Sequence, residues 1–222
     1  RAGAALSNHP EINFMSFTGS PRVGTLVQQA TANHFVGCTL ELGGKSPQVI
    51  FADADFEKAV LVIVRAIIQH AGQTCSAGSR ILVQKEIYNE FMKQVAAHFA
   101  KVRVGTPDMD LDCGPVMNAK QRNLVEGFRE EAISSGIELL SEGVFAEGLD
   151  QSGFWVKPAL FGNVPRDHRL ACDEVFGPVL SAIPFEDELD AIKLANATDY
   201  GLVGSVWTKD GNRQKRVAKR MN

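Results

Sequence analysis

A chain of 222 residues, 45% of them hydrophobic, can bury a full core, as one large domain or as parts of two. Its net charge of -3 offers no basic surface for nucleic acid or an anionic membrane. Cys38, Cys75, Cys113 and Cys172 stand far apart, with no CxxC pair and no ligand-spaced histidines, which argues against a zinc site and a disulfide framework and for a reducing, cytoplasmic setting.

In chain order, residues 12–17 alternate as a strand, and Thr18-Gly19-Ser20-Pro21 ends it. Pro21 fits the first turn of a helix running to about Ala32. Residues 36–42 and 47–51 read as two more strands, so the opening segment is a βαβ unit that implies a parallel sheet. Asp53-Ala54-Asp55 supplies an N-cap for a run from Phe56 to Ala71, apolar nearly all round and so expected to be buried between layers. A strand over 80–84 follows, then an amphipathic helix carrying Ile87, Phe91, Val95 and Phe99. Residues 105–115 read as a loop and 120–134 as a helix. Residues 137–140 and 154–160 read as strands, 170–184 as an irregular motif leading into a strand, 187–197 as a helix and 203–208 as a strand. The alternation predicts an α/β layered fold. The apolar run 59–68 is too short to span a bilayer. The chain begins at Arg1 within an Ala-rich segment and stops at Asn222 in a basic, helix-compatible run without a cap, so a piece of a longer protein is expected.

Four stretches could carry chemistry. Gly72-Gln73-Thr74-Cys75-Ser76-Ala77-Gly78 places a thiol between a helix and a strand among residues with little bulk. Small neighbours let a carbonyl carbon and backbone N–H groups approach the sulfur, as a nucleophile requires. A buried structural cysteine has the same local pattern. Thr18 to Gly24 puts glycine and a hydroxyl at a helix N-terminus, where free N–H groups and the helix dipole favour phosphate, although the stretch is not GxGxxG. Gly44-Lys45-Ser46 is not a phosphate loop of the GxxxxGK kind: position 39 is Thr, and Pro47-Gln48-Val49-Ile50 continues as strand. Next to it, Glu41 ends an apolar strand, where partial desolvation would raise its pKa toward that of a general base. In Asp173 to Val179, Glu174 could accept sugar hydroxyls and Phe176 could lie against a flat ring.

Taken together and in order, Phe17-Thr18-Gly19-Ser20, Glu41-Leu42-Gly43-Gly44-Lys45-Ser46-Pro47, Gly72-Gln73-Thr74-Cys75, Glu174-Val175-Phe176-Gly177-Pro178 and Tyr200-Gly201-Leu202 resemble the aldehyde dehydrogenase superfamily over essentially the whole chain. The resemblance implies an α/β, aldehyde dehydrogenase-like layered fold with a parallel sheet. Residues 1–43 would be the C-terminal part of an NAD(P)-binding domain and 44–222 most of a catalytic domain. The site would lie in the crevice between them, with Glu41 and Cys75 entering from opposite sides. By the same resemblance Cys75 is the thiol that adds to an aldehyde, and Glu41 the base that activates the thiol or the hydrolytic water. Gly19, Ser20 and Gly24 stand near the pyrophosphate of NAD or NADP. Leu42 and Phe176 lie beside the nicotinamide, and Glu174 holds its ribose. Pro21 departs from the Thr usual in the family. The substrate would be a small-molecule aldehyde, the assembly a homodimer or homotetramer, and this stretch alone poorly active. Two other readings stay open: a cysteine hydrolase or acyl transferase without hydride transfer, and a non-catalytic fragment.

Overall fold

The computed structural model describes residues 2–150 and 152–222. They form two compact units, residues 1–43 and 44–222. No helix among the described residues is long and apolar enough to cross a membrane.

In the first unit a short helix, α1 (Ala2–Ser7), precedes strand β1 (Phe14–Thr18), helix α2 (Pro21–Ala32) and strand β2 (Gly37–Glu41). The two strands pair in parallel, from Phe14 opposite Gly37 to Thr18 opposite Glu41, as a βαβ unit demands. Ser20 has the extended backbone of an N-cap, and Pro21 takes the first helical position, where its missing N–H costs nothing.

The next strand expected by sequence, β3 (Pro47–Ile50), is not the third strand of that sheet but belongs to the second unit. There it joins β4 (Arg80–Gln84), β6 (Glu138–Glu142), β8 (Ala159–Gly162), β9 (Val179–Phe185) and β10 (Ser205–Trp207) in one six-stranded sheet. The order is β10-β3-β4-β9-β8-β6, parallel except for the antiparallel edge pair β6–β8. Val49, Ile50, Ile81, Leu82, Val83, Leu180 and Ala182 are all buried, the near-continuous apolar run that a parallel sheet covered on both faces requires. Covering it are α3 (Phe56–Ile68), α4 (Tyr88–Phe99), α5 (Ala119–Ser134), α6 (Arg169–Cys172), α7 (Glu188–Ala195) and α8 (Gly211–Ala218). A two-residue pair, β5 (Arg103–Val104) with β7 (Val144–Phe145), falls where the sequence pattern indicates no strand.

Three sequence expectations need correction. First, α3 ends at Ile68 rather than Ala71, because His70 and Ala71 both adopt left-handed backbone (φ 52°) in a tight 3-10 turn. Second, α3 is not buried all round. It packs through Ala59, Val60, Ile63, Val64, Ile67 and Ile68, while Leu61 and Val62 are 41% and 47% exposed. Third, residues 154–158 lie outside any strand, and pairing begins at Ala159. Pro158, which has no N–H to give a ladder, stands just before that start.

Arg80, at the start of β4, ties this unit together. Its buried guanidinium donates to the Lys45 carbonyl (2.8 Å) and to the Leu194 and Ala195 carbonyls (2.9 and 2.8 Å) at the end of α7. The last carbonyls of a helix lack intrahelical partners, so Arg80 caps α7 while holding the entry to β3. Its neighbour Lys45 is buried too, yet its Nζ has no hydrogen-bond partner among the described residues. Burial, and then the Arg80 charge, pull the Lys45 pKa down to about 7.

Two predictions follow from these cations. Arg80→Met removes three buried side-chain hydrogen bonds and should cost about 3 kcal/mol or more, read as a fall in the urea midpoint at unchanged slope. For Lys45 the folded pKa of about 7 lies below its ordinary value of 10.5, so above pH 7 the folded chain binds fewer protons than the unfolded one. Stability should therefore rise from pH 7 to about 9. Beyond that, Cys113 and Tyr88, both pushed up to about 12 by burial, oppose the gain. Urea titrations at successive pH values should show the rise in the native chain, and Lys45→Met should remove it.

Candidate active site

The second unit builds a site from three loops. The first runs over residues 73–79, from the 3-10 turn to β4. Gln73 anchors it: its N–H and Nε2 both donate to the His70 carbonyl (3.1 and 3.0 Å), and its Oε1 accepts from the Met117 N–H (2.8 Å). The Ala77 N–H closes a turn onto the Thr74 carbonyl (3.0 Å), and Gln48 Nε2 donates to the Gly78 carbonyl (3.0 Å). Gln73, Ala77, Gly78 and Ser79 are buried, whereas Cys75 is half-buried and Ser76 exposed. Among the described residues the Cys75 N–H has no acceptor. A rigid loop thus presents one accessible thiol beside an unused backbone donor, the pair that attack on a carbonyl needs.

The second loop is 173–178, between α6 and β9. It meets the first through glycine. Gly72 has φ +70°, and a Cβ there would overlap the backbone of Gly177 and Pro178. Phe176 holds left-handed backbone (φ 53°) without being glycine. That costs energy unless the surroundings impose it. Gln121 on α5 imposes it: its Nε2 donates to the carbonyls of Val175 (3.1 Å) and Phe176 (2.7 Å). Nothing in the sequence pattern marked Gln121; an amide on the first turn of a surface helix looks like solvation.

The third loop is 44–46, leading into β3. The Gly44 N–H donates to Glu174 Oε1 (3.0 Å), and a Cβ on Gly44 would lie 2.7 Å from the Cys75 carbonyl oxygen. Gly44 therefore touches both other loops, and only a residue without a side chain fits. Glu174 is half-buried. Burial raises its pKa, while the Gly44 N–H and the Lys45 charge lower it. Its carboxylate keeps unused lone pairs for hydroxyl donors, as a sugar diol would supply.

The second unit thus brings together Cys75, Glu174 and Phe176 of the expected residues. Gly19, Ser20, Gly24, Glu41 and Leu42 belong to the first unit. There the Gly19 N–H is not free for phosphate, because it donates to the Glu41 carbonyl (3.0 Å). The Ser20 side chain makes no capping bond and is exposed at the start of α2. Gly24 is buried beneath Leu42, whose Cδ2 would lie 2.6 Å from a Cβ there. Glu41 is exposed, so the desolvation expected of it is absent: a two-stranded sheet has too little around it to cover a carboxylate at its end. His70, read as lying inside an apolar helix, is exposed on the 3-10 turn, and no hydrogen bond joins it to Cys75. Cys113 is buried, and its thiol is pushed up to about 12, far from a thiolate at neutral pH.

The Aldehyde dehydrogenase family model matches residues 1–222. Mouse retinal dehydrogenase 2 is 40% identical over 222 residues, which cover 99% of this chain and 42% of that protein. A solved structure from Burkholderia cenocepacia is 52% identical and superposes with a TM-score of 0.98 over 100% of this chain and 46% of its own. Betaine aldehyde dehydrogenase of Staphylococcus aureus, solved in complex with NAD+, is 38% identical with a TM-score of 0.93, covering 100% of this chain and 44% of its own. The chain spans less than half the length of these relatives. With its α/β fold, its mostly parallel sheet and a match along its whole length, the chain belongs to the aldehyde dehydrogenase family.

Proposed function

We propose that the protein to which this chain contributes oxidises an aldehyde to a carboxylic acid, with Cys75 as covalent nucleophile and NAD or NADP as hydride acceptor. The observation that carries the reading is Cys75, half-buried on a loop whose ends are buried, next to its own unengaged N–H. Residues 1–43 act as the end of the cofactor-binding domain and 44–222 as most of the catalytic domain.

The Cys75 thiolate adds to the aldehyde carbon, and the carbonyl π pair moves onto oxygen. The Cys75 N–H donates to that oxyanion. When bound, the cofactor accepts the hydride that leaves the same carbon. The oxygen lone pair re-forms the C=O bond, and a thioester on Cys75 remains. Water then adds to the thioester carbon and the Cys75 thiolate leaves with its electron pair. Glu41 takes the proton from the thiol, the water or both. Covalent capture in this way divides one hard conversion into two easier ones. Glu174 accepts ribose hydroxyls, Phe176 lies beside the nicotinamide and Leu42 lines its pocket. Gly19, Ser20 and Gly24 stand near the pyrophosphate, where the Ser20 hydroxyl and the α2 dipole are the groups on offer. The residues fit a dinucleotide in chemical kind: a carboxylate with spare acceptors, a flat ring and a helix N-terminus.

Because the chain is less than half the length of its relatives, the 222 residues by themselves should turn over poorly. The test uses the longer protein with an aldehyde and NAD+ or NADP+, following the absorbance of reduced cofactor. Cys75→Ser should lower kcat by about a thousandfold or more, and Glu174→Gln should weaken cofactor binding by roughly tenfold. In the isolated chain, iodoacetamide should label Cys75 well ahead of Cys113. Equal labelling rates, or a Cys75→Ser enzyme that keeps its turnover, would refute the nucleophile.

A further inference from the structure

We infer that Lys45 is a positioning residue for Glu174: its buried ammonium, one residue along from the Gly44 N–H that the carboxylate grips, is the counter-charge that keeps Glu174 an ionised acceptor. This rests on the proposed reading of Glu174 as the group that accepts ribose hydroxyls. It assigns a task to a lysine that the reaction steps leave idle.

The geometry starts at the backbone. Glu174 Oε1 accepts from the Gly44 N–H at 3.0 Å, so the carboxylate is fixed against the peptide that leads directly into Lys45. Lys45 then turns inward, 2% exposed, and its Nζ makes no hydrogen bond to the described residues. A lysine in that position is ordinarily a liability, because burying a charge without a partner costs several kcal/mol. Its charged neighbours set the balance around it. Arg80, on β4, repels the ammonium but is itself fixed by three carbonyls and cannot swing away. Asp173 and Glu174, which follow α6, attract it.

From the Glu174 side the groups are few. Desolvation pushes its pKa up, and the Gly44 N–H and Lys45 are the groups that hold it down. The Tyr200 phenol, near the same backbone, has its own pKa raised by burial and stays neutral while Glu174 titrates. While protonated, Lys45 is therefore the positive charge among these groups that acts on the carboxylate. A neutral carboxyl would turn one acceptor oxygen into a donor and could no longer take two hydroxyl hydrogens together. Coupling is reciprocal: an ionised Glu174 favours protonated Lys45 by the same free energy.

The test needs no cofactor, so it stands or falls apart from the proposed function. Carboxyl carbons of glutamate are labelled with 13C in the chain, and the Glu174 resonance is assigned by its loss in Glu174→Gln. In the native chain the Glu174 signal should show its own titration and then a second, smaller step near pH 7, as Lys45 discharges. In Lys45→Met the Glu174 midpoint should rise by about one pH unit and the second step should vanish. Lys45→Arg, which keeps the charge, should hold the midpoint near that of the native chain, again without the step. Should Lys45→Met fail to fold, judged by amide dispersion, the native second step and the arginine variant decide. A native curve with a single step, or a methionine variant whose midpoint is unmoved, overturns the inference. Cofactor binding by Glu174→Gln, measured separately in the longer protein, reports on the ribose reading alone.

Discussion

Everything the second unit can do depends on two backbones meeting with no side chain between them. Gly72 and Gly177 come so close that a single Cβ on Gly72 would overlap the facing peptide. The contact joins the loop that carries the thiol to the loop that carries Glu174 and Phe176. Such contact also explains the left-handed backbone on its two sides, at His70 and Ala71 before Gly72 and at Phe176 before Gly177. Each of those residues sits where an L side chain is disfavoured. The chain turns sharply on both sides so that the glycines can touch, and Gln73 and Gln121 hold the turns with side-chain hydrogen bonds. The strain is local and the bonds that oppose it are local too, which keeps the thiol loop rigid without a metal or a disulfide among the described residues.

Buried charge follows a different logic. Arg80 and Lys45 are both nearly inaccessible, and they repel each other. Each nitrogen of the Arg80 guanidinium donates a hydrogen bond, so its burial, which lowers its pKa only to about 10, leaves it charged. Lys45 has no such bonds and sits at the edge of losing its proton. In a purely structural role an apolar residue of similar length would often serve as well or better. An amine held at that cost, one residue from the carboxylate-binding N–H, makes more sense as part of the site than as part of the core.

Much of the architecture was legible from the sequence, and its failures have physical causes. The βαβ opening, the parallel sheet and the strand after Arg80 followed from periodicity alone, because a covered parallel strand is apolar on both faces. The end of α3 was misplaced by three residues, since His70 and Ala71 are ordinary helix formers and nothing local announces left-handed backbone. The two-residue β5–β7 pair is too short for any periodicity. The partition of the chain at Gly43–Gly44 left a trace in composition, two adjacent glycines after an apolar run.

The site was legible in one way and opaque in another. Cys75, Glu174 and Phe176 stood out because their neighbours are small, or because Gly-Pro follows them, and small residues mark close approach whatever the fold. Gln121, Arg80 and the burial of Lys45 were invisible, since each acts on a residue far away along the chain: Gln121 reaches across 54 and 55 residues to Val175 and Phe176, and Arg80 across 114 and 115 to α7. Local pattern reports what a residue allows, whereas partners at such separation are set by topology. The burial expected of Glu41 fails for a related reason. An apolar strand end implies a covering layer, but covering is a property of what packs on the strand, and a lone parallel pair leaves its carboxylate to water. Residues that hold others in place across long separations are therefore the ones a structure adds to a sequence.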